Sequence, residues 1–398
     1  MPKHKSHIMI SGEFSFPYGM AAGRYVFLMT KGLVVQGADV FVVPLKSTEM
    51  QDDIRNHIAS GCIDGINFKY ATGSSIWKPN LFRRVFLALY AEFNSIFTVS
   101  TRALMGKLDT LLYYGGSTYQ FRKFSLLAKV FKYKLIAHIV EWDPELAGAT
   151  IKQQQAALNF FQSVLKFSDG IVVISNFLEE KIAKENYKSI PVFRLPILVD
   201  TGAWIDKEII TFDNPYILYC ANLESYIEDV FFILRSFADL KDKSINLEMI
   251  GYAGEGALTE INKEIKKLKI EGRVMITSKF VDQKQLYELF ASAAVLLAPM
   301  RDNNRSAARF PLKIADYLMS GRPVVSSHIG EVAATLKDGV SAFLAKADDL
   351  ADFTKKMEIA LTHPNKLQIA LNGREIAMKN FDYKMNGKRL LEFIHSIN

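Results

Sequence analysis

The feature that most constrains the fold is a regular alternation of short apolar runs with longer helical patterns. Runs rich in β-branched and aromatic residues, such as HIMIS at 7–11 and TLLYY at 110–114, are separated mostly by stretches of ten or more residues with helical spacing. This alternation is typical of βαβ units, which build parallel sheets. We therefore predict an α/β fold.

The pattern predicts two series of strands. The first series lies at 7–11, 39–44, 65–70, 110–114, 134–140, 170–174 and 192–196. The second lies at 216–220, 245–251, 273–277, 294–299, 323–327 and 342–345. The polar, irregular stretch at 197–215 between them has the character of an interdomain linker.

Two domains follow from this pattern and from the length of 398 residues, which exceeds what one core usually serves. We predict doubly wound domains at 1–204 and 205–380, and a C-terminal helix at 381–398 that is a candidate for packing back on the first domain. Tandem domains of this kind bind ligands in the cleft that the carboxyl ends of both sheets face. Residues that directly follow strands are therefore the first candidates for a site.

Composition and charge narrow the class of partner. Cys62 and Cys220 lie far apart and lack the spacing of metal ligands or of a disulfide framework, which fits a reducing cytoplasm. The first apolar run is too brief for a secretion signal, and the longest, at 85–99, is interrupted by Glu92 and Asn94 and is too short to cross a bilayer. The formal net charge of +7 suits a nucleotide, a phospholipid surface or nucleic acid.

The densest group of candidate residues is RDNNRSAARFPLKIADYLMSGRPVVSS at 301–327, directly after a predicted strand. Pro311 and Gly321 are typical of the start and the end of a short helix. The N-terminus of such a helix offers unpaired N–H groups and a partial positive charge. This segment therefore predicts an anion site.

Charged residues accompany the same helix. Arg305, Arg309 and Lys313 add cations near its N-terminus that suit a diphosphate. Asp316 lies three residues after Lys313 on the same face and can accept hydrogen bonds from ribose hydroxyls. The alternative is a solvent-facing ion pair between Lys313 and Asp316 on an ordinary amphipathic helix.

The string RFPLK at 309–313, followed by Asp316-Tyr317 and by GRPVV at 321–325, resembles the donor-binding signature of the retaining family-four glycosyltransferases. That family has the GT-B fold, in which two Rossmann-like domains face each other across a cleft. The resemblance assigns donor ribose binding to Asp316. Ala308 stands where many members carry a further Glu that contacts the donor sugar.

Two residues inside this string belong to the same expectation. By the resemblance, Phe310 and Pro311 lie in the donor-binding segment beside Arg309 and Lys313.

The first half of the chain also resembles the family. Segment 11–43 resembles its opening strand, glycine loop and first helix, in which the loop approaches the donor phosphates or the acceptor, and this implies roles for Gly19 and Arg24. Without the family, Gly19 is a turn residue before a helix. Segment 137–145 resembles a strand-end histidine and acid near the reacting sugar.

That second resemblance implies catalytic roles for His138 and Glu141. The alternative is a core histidine and a surface acid.

The segment 216–240 departs from the family pattern. The family supplies an Arg and a Lys to the donor diphosphate here, whereas this chain has Asn222 and the pair Tyr226-Ile227. Two explanations compete. Either arginines at 301, 305 and 309 replace these cations, which we favour because they adjoin the same helix N-terminus, or the protein has lost donor turnover.

Two further turns resemble donor-binding segments. MIGYAGEG at 249–256 resembles the strand-to-glycine turn and implies a role for Gly251. The segment from 278 resembles the base-binding turn, in which backbone groups of Lys279, Phe280 and Val281 read the nucleobase edge. A plain surface loop is the alternative for these three residues.

The segment KPNLFRRVFLALYAEFNSIF at 78–97 predicts a helix outside these motifs. Arg83 and Arg84 beside apolar residues fit docking on an anionic bilayer. The alternative is a core helix of the first domain.

The resemblance as a whole implies a glycosyltransferase, of the hexosyltransferase class, that passes a sugar from a nucleotide sugar to a glycan or lipid-linked acceptor with retention of configuration. It implies synthesis of cell-surface polysaccharide or of a glycoconjugate, with no cofactor or metal and no nucleic-acid partner. The two cysteines and the segment 78–97 further predict a cytoplasmic protein held peripherally on the inner face of the membrane. A non-catalytic nucleotide-sugar binding or scaffold protein and a sugar-nucleotide epimerase are the alternatives.

Overall fold

The computed structural model describes residues 5–50, 54–77, 80–142, 144, 149–185, 188–204, 215–279 and 281–397. By their internal contacts the residues divide into two compact units, Met1–Leu198 with Tyr383–Asn398, and Val199–Asp382. The predicted boundary at residue 205 lies outside the described residues.

Each unit is built on its own sheet. The strands of the first unit are β1 His7–Gly12, β2 Asp39–Pro44, β3 Ser60–Ile63, β4 Ile66–Lys69, β5 Thr110–Tyr114, β6 Lys134–Ile139, β7 Gly170–Val173 and β8 Val192–Arg194. The strands of the second are β9 Tyr216–Cys220, β10 Asn246–Ile250, β11 Val274–Thr277, β12 Val295–Ala298, β13 Val324–Ser327 and β14 Phe343–Ala345.

The helices cover these sheets. In chain order they are α1 Ala21–Val35, α2 Leu81–Leu104, α3 Thr118–Phe131, α4 Ile151–Phe167, α5 Asn176–Glu185, α6 Ile227–Ala238, α7 Glu255–Leu268, α8 Gln283–Ser292, α9 Asn304–Ala308, α10 Lys313–Met319, α11 Gly330–Thr335, α12 Leu350–Thr362, α13 Lys366–Phe381 and α14 Tyr383–Ser396. Short 3-10 turns lie at Thr201–Trp204 and Glu271–Arg273.

The strand orders are those of doubly wound sheets. The first sheet runs β3-β4-β2-β1-β5-β6-β7-β8 and the second β11-β10-β9-β12-β13-β14. Neighbours in both sheets pair in parallel, and the exception is β3 with β4. The α/β prediction is therefore confirmed.

One strand was not predicted. The sequence analysis missed β3, which pairs antiparallel with β4 across a hairpin turn at Asp64-Gly65. Both turn residues have left-handed backbone, with φ of +48° and +78°. An Asp-Gly pair is a recognised signal of such a hairpin turn, but the Gly- and Ser-containing strand before it has little β propensity.

The last helix packs on the first unit through a contact between two glycines. Helix α14 packs against α1, and a Cβ built on Gly387 would lie only 2.4 Å from the backbone carbonyl carbon of Gly32. A Cβ built on Gly32 would lie 2.4 Å from the backbone oxygen of Tyr383. The absence of side chains at this crossing therefore allows the two helix backbones to come this close.

We expect Gly387→Ala to destabilise the first unit by about 1–3 kcal/mol, because the added methyl group overlaps backbone atoms that cannot move aside. Helix propensity alone predicts the opposite sign, a gain of about 1 kcal/mol for Gly to Ala. Guanidinium denaturation measures the difference. The matched control is Gly116→Ala, since a Cβ there meets nothing within 4 Å; a Gly387→Ala variant as stable as this control would contradict the packing account.

Candidate functional site

In the second unit the sheet grows in opposite directions from β9 and β12. Strand β10 pairs with one side of β9 and β12 with the other, so the chain reverses its winding at this point. Ligands of doubly wound sheets bind in the crevice at the carboxyl ends of the strands beside such a reversal. The turns after β9 and β12, at 221–226 and 299–303, lie at that edge.

Two arginines stack on one tyrosine ring near this edge. The guanidinium carbon of Arg309 lies 4.7 Å from the centre of the Tyr226 ring, and that of Arg305 lies 5.7 Å from it. The Nε atoms of both arginines are buried and have no hydrogen-bond partner among the described residues. Tyr226 stands where the family pattern has a cation, and its ring holds two cations that come from a later segment.

A buried carboxylate lies near one of these arginines. The Nη2 atom of Arg309 lies 3.9 Å from Oδ2 of Asp229. Burial raises the pKa of Asp229 to about 6, and the charges of Arg309 and Arg301 offset this only in part. Arg301 is itself engaged, because its Nε lies 2.8 Å from Oδ1 of Asp348. The cluster of Tyr226, Asp229, Arg305 and Arg309 thus holds more positive than negative charge in a partly desolvated place.

Lys313 begins α10 and meets the end of β9. Its Nζ contacts Sγ of Cys220, and the backbone N–H of Cys220 donates to the hydroxyl of Tyr317 at 3.0 Å. Asp316 is buried in the first turn of α10. A solvent-facing Lys313–Asp316 pair therefore does not describe this helix, and the lysine belongs to the same sheet edge as the arginine pair.

The turns after β9 and β10 approach each other closely. A Cβ on Gly251 would lie 1.5 Å from the carbonyl oxygen of Ala221, and the φ of Gly251 is +147°, so the position accommodates only glycine. Asn222 shapes the neighbouring turn, because its Oδ1 accepts a hydrogen bond from the N–H of Ser225 at 2.8 Å. The structure thus gives Asn222 and Gly251 backbone-shaping positions beside the arginines.

The other donor-side candidates lie around this centre. Phe310 is buried against Phe381, with ring centres 5.4 Å apart, and the carbonyl of Pro311 accepts from the N–H of Ile314 at 3.0 Å. These contacts anchor the start of α10.

The predicted base-binding turn follows β11. Lys279 is exposed and Val281 half-buried, whereas Phe280 lies outside the described residues. Strand β11 is separated from β9 by β10, so this turn lies further from the arginines than the Gly251 turn does.

In the first unit, His138 lies within β6 and is only 1% exposed. Its Nε2 lies 3.4 Å from the hydroxyl of Tyr25, which donates to the carbonyl of Leu195 at 3.2 Å. Burial lowers the pKa of His138 to about 3, so the ring is neutral near pH 7. This environment favours the core histidine over a group that reaches substrate.

Glu141, Gly19 and Arg24 lie at or after the carboxyl ends of β6 and β1. Glu141 is exposed, and after burial itself its charge is the second cause that raises the pKa of the buried Tyr114. A Cβ on Gly19 would lie 3.0 Å from Cβ of Ser15, so the turn before α1 is tight. Arg24 lies in the first turn of α1. Of the candidates in this unit, Glu141 is the accessible acid.

Two residues that the structure places beside Arg309 and Lys313 were missed by the sequence analysis. Asp229 was overlooked because an acid in the first turn of a helix is usually exposed, and Cys220 because a single cysteine carries no motif. A signal for Asp229 exists, since it lies three residues after Tyr226, but the sequence does not show that this spacing faces the interior.

We expect Asp229→Asn to remove a pH dependence from the second unit. The folded pKa of about 6 lies above the ordinary 3.8, so this group contributes stability that is fully present below pH 3.8 and is lost as the pH rises through 6. The loss amounts to at most about 3 kcal/mol. The free energy of unfolding is measured as a function of pH from the fluorescence of Trp204, in a Trp77→Phe, Trp142→Phe background. Glu228→Gln, which changes the exposed neighbouring acid, is the control. An unchanged pH profile in Asp229→Asn would contradict the assignment.

We expect the opposite sign for His138 in the first unit. Its folded pKa of about 3 lies below the ordinary 6.5, so stability is full above pH 6.5 and falls toward pH 3 as the unfolded chain takes up the proton. The slope is about 1.4 kcal/mol per pH unit. His138→Gln flattens this slope when denaturation is followed by the fluorescence of Trp142. The control His57→Gln changes an exposed histidine and is expected to keep the pH dependence of the free energy of unfolding. The same pH dependence in His138→Gln would contradict the assignment of this slope to the buried His138.

The match to a known protein family lies within the second unit. Residues 214–363, which span β9 to α12, match the family of glycosyl transferases group 1. No curated protein matches the chain as a relative.

Solved structures resemble the chain over nearly its whole length. Sucrose-phosphate synthase from Thermosynechococcus elongatus is 13% identical at a TM-score of 0.77, with 98% of both chains covered. Anabaena HepE in complex with UDP and glucose is 14% identical at 0.71, covering 98% of this chain and 100% of that one. The lipopolysaccharide outer core galactosyltransferase WaaB in its apo form is 13% identical at 0.63, covering 98% and 99%. The chain thus has the GT-B fold of these structures, and its second unit carries a glycosyl transferases group 1 domain.

Proposed function

We propose that the second unit holds the diphosphate of a nucleotide-sugar donor on Arg305, Arg309 and Lys313. The observation that carries this proposal is the stacking of both arginines on Tyr226 with buried Nε atoms that lack partners among the described residues. Guanidinium groups bind phosphate oxygens in a bidentate way and tolerate desolvation better than ammonium groups. A diphosphate supplies the acceptors that these groups need.

The chemistry proposed for these cations is stabilisation of the leaving group. Breaking the bond between sugar and diphosphate develops negative charge on the diphosphate, and preorganised donors that meet this charge lower the barrier without a covalent nucleophile. Lys313 and the two arginines provide such donors at the end of β9. Asp316 is the proposed ribose acceptor, and its burial keeps water from competing for that hydrogen bond.

The donor, the acceptor and the stereochemistry are finer parts of the proposal. Anabaena HepE has been solved with UDP-glucose, and UDP-glucose is therefore the first donor to test. The resemblance to family four supports retention of configuration, a glycan or lipid-linked acceptor, and a role in cell-surface polysaccharide or glycoconjugate synthesis. Glu141, the exposed acid after β6, is the group proposed to lie near the reacting sugar, with His138 buried behind it.

We also propose where in the cell the protein acts. A cytoplasmic protein attached peripherally to the inner face of the membrane fits two cysteines that are both free thiols and an acceptor carried by lipid.

We expect Lys313→Ala and Arg309→Gln each to lower turnover of UDP-glucose by about a hundredfold to a thousandfold, because one donor to the leaving charge is lost. Arg301→Gln is the matched control: its guanidinium is engaged by Asp348 at 2.8 Å, so the loss stays far smaller. Asp316→Ala instead weakens UDP binding, by about 1.5–3 kcal/mol for a charge-assisted hydrogen bond. Steady-state kinetics and calorimetry with UDP separate the two effects.

The same assay tests the absence of a metal from this scheme. The described residues contain no group of three or more His, Cys, Asp and Glu side chains that could hold a metal ion. Protein cations take the place of a divalent ion in the proposal, so EDTA leaves activity intact. Full turnover by Lys313→Ala, or activity that EDTA abolishes and manganese restores, would show that the diphosphate site has been misplaced.

A further inference from the structure

Helix α2 presents its largest apolar side chains to solvent. Phe82, Phe86, Leu89, Phe93 and Phe97 are between 55% and 86% exposed. Their spacing is i, i+4, i+7, i+11 and i+15, which places them in one stripe along the helix. Phe93 and Phe97 stack on each other, with ring centres 6.1 Å apart and an angle of 15°. The stripe is therefore continuous and aromatic.

The opposite face of α2 attaches the helix to the first unit through small and polar residues. Its buried residues are Ala91, Asn94, Ser95 and Val99. Asn94 donates to the carbonyl of Ala71 at 2.8 Å. A helix on the surface of a soluble domain normally turns its apolar face inward. Here the polarity is reversed, and the core-helix alternative from the sequence is incompatible with these exposures.

The neighbouring helices enlarge this surface. Helix α3 packs against α2, and α4 packs against α3, so the three helices form one layer. Helix α3 also exposes large apolar residues, namely Tyr119, Leu126 and Val130. We call the exposed apolar residues of α2 and α3 the aromatic face.

The segment that carries the aromatic face is mainly positive in charge. Residues 81–132 contain eight Lys and Arg against Glu92 and Asp109, a formal net charge of +6, whereas the whole chain has +7. Glu92 is neutralised locally, because its Oε2 lies 2.8 Å from Nζ of Lys123. Arg83 and Arg84 are exposed at the start of α2. Nearly all of the excess charge of the protein is therefore concentrated in this segment.

We propose that the aromatic face docks on an anionic lipid bilayer, with α2 lying in the plane of the headgroups. Exposed aromatic and aliphatic residues flanked by Lys and Arg are the pattern of interfacial helices. None of the helices formed by described residues has the length and apolar run needed to cross a membrane. With 24 residues, α2 lays about 36 Å of helix along the surface.

Charge decides between a bilayer and a second copy of the chain. A two-fold dimer through this face apposes the same patch on both subunits. Each copy brings the +6 segment to the other, and like charges at an interface disfavour association. An anionic bilayer offers the opposite charge and an apolar interior to the same residues. This inference deepens the peripheral attachment proposed above and depends on α2 and α3, not on the donor site, so it can fail while the proposed donor binding holds.

Sedimentation with vesicles tests the docking. The full-length protein is mixed with vesicles of phosphatidylglycerol and phosphatidylcholine or of phosphatidylcholine alone, at about 0.15 M and about 1 M salt, where the screening lengths are about 8 Å and 3 Å. We expect binding to the anionic vesicles that weakens at high salt. Phe86→Ser with Phe93→Ser lowers the partition coefficient at least about tenfold, since each change removes one buried aromatic side chain. Arg83→Gln and Arg84→Gln each lower it about fivefold on anionic vesicles only.

Controls keep the result decisive. Leu367→Ser changes an exposed apolar residue of α13 in the second unit and is expected to leave vesicle binding unchanged. Circular dichroism verifies folding of the Phe86, Phe93 variant, and the two Arg variants carry the charge test if that protein is unfolded. Calorimetry with UDP is expected to give the same affinity in all four.

Three results would overturn the proposal. One is equal binding to neutral and anionic vesicles at both salt concentrations, and another is no binding to either. The third is a dimer in sedimentation velocity that the Phe86, Phe93 changes dissociate while vesicle binding persists. Loss of vesicle binding with unchanged UDP affinity in the variants supports it and leaves the donor site untouched.

Discussion

The stacking of Arg305 and Arg309 on Tyr226 sets the charge and the hydrogen-bonding character of this edge of the second unit. A ring face attracts a guanidinium group but offers it no hydrogen-bond acceptor. The N–H donors of the stacked arginines therefore still need acceptor atoms. Asp229 meets that demand weakly, at 3.9 Å and from a buried position that raises its own pKa. The N–H groups that stay without an acceptor are the reason for proposing an anion with several oxygens here, and Lys313 at the same sheet edge adds positive charge.

The two units use buried titratable groups differently. In the first, His138 is packed between Tyr25 and Tyr114, where its ring serves as a neutral part of the core. In the second, Asp229 is buried beside cations and its charge balances theirs in part. Burial disfavours the charged form of either group, but only Asp229 has nearby cations that stabilise its charged form. Of the histidine and the acid predicted at the end of β6, Glu141 is therefore the one that is exposed.

The chain combines two basic features of different kinds, each of which we propose to bind an anion. The arginine pair of the second unit is small, partly desolvated and made for a few oxygen atoms, whereas the basic segment around α2 in the first unit is broad, exposed and mixed with aromatic residues. The arginine pair suits an anion whose oxygens have a fixed geometry, whereas the basic segment suits an extended anionic surface. An enzyme with a water-soluble donor and a lipid-carried acceptor, as proposed, would use both the arginine pair and the basic segment around α2. The two proposals are compatible, and either can hold without the other.

The sequence by itself determined the α/β class, the two series of strands and the segment 301–327, because periodicity and helix boundary residues are local properties. It also singled out Arg305, Arg309 and Lys313, which the structure places near one sheet edge, and their role toward a donor stays a prediction. Tertiary structure alone decided which side of each element is buried. The pattern of α2 fits a core helix equally well, Asp229 resembles a surface acid and His138 a strand-end catalyst. Burial depends on what distant segments pack against, so no local pattern could have shown that α2 is exposed and that Asp229 and His138 are not.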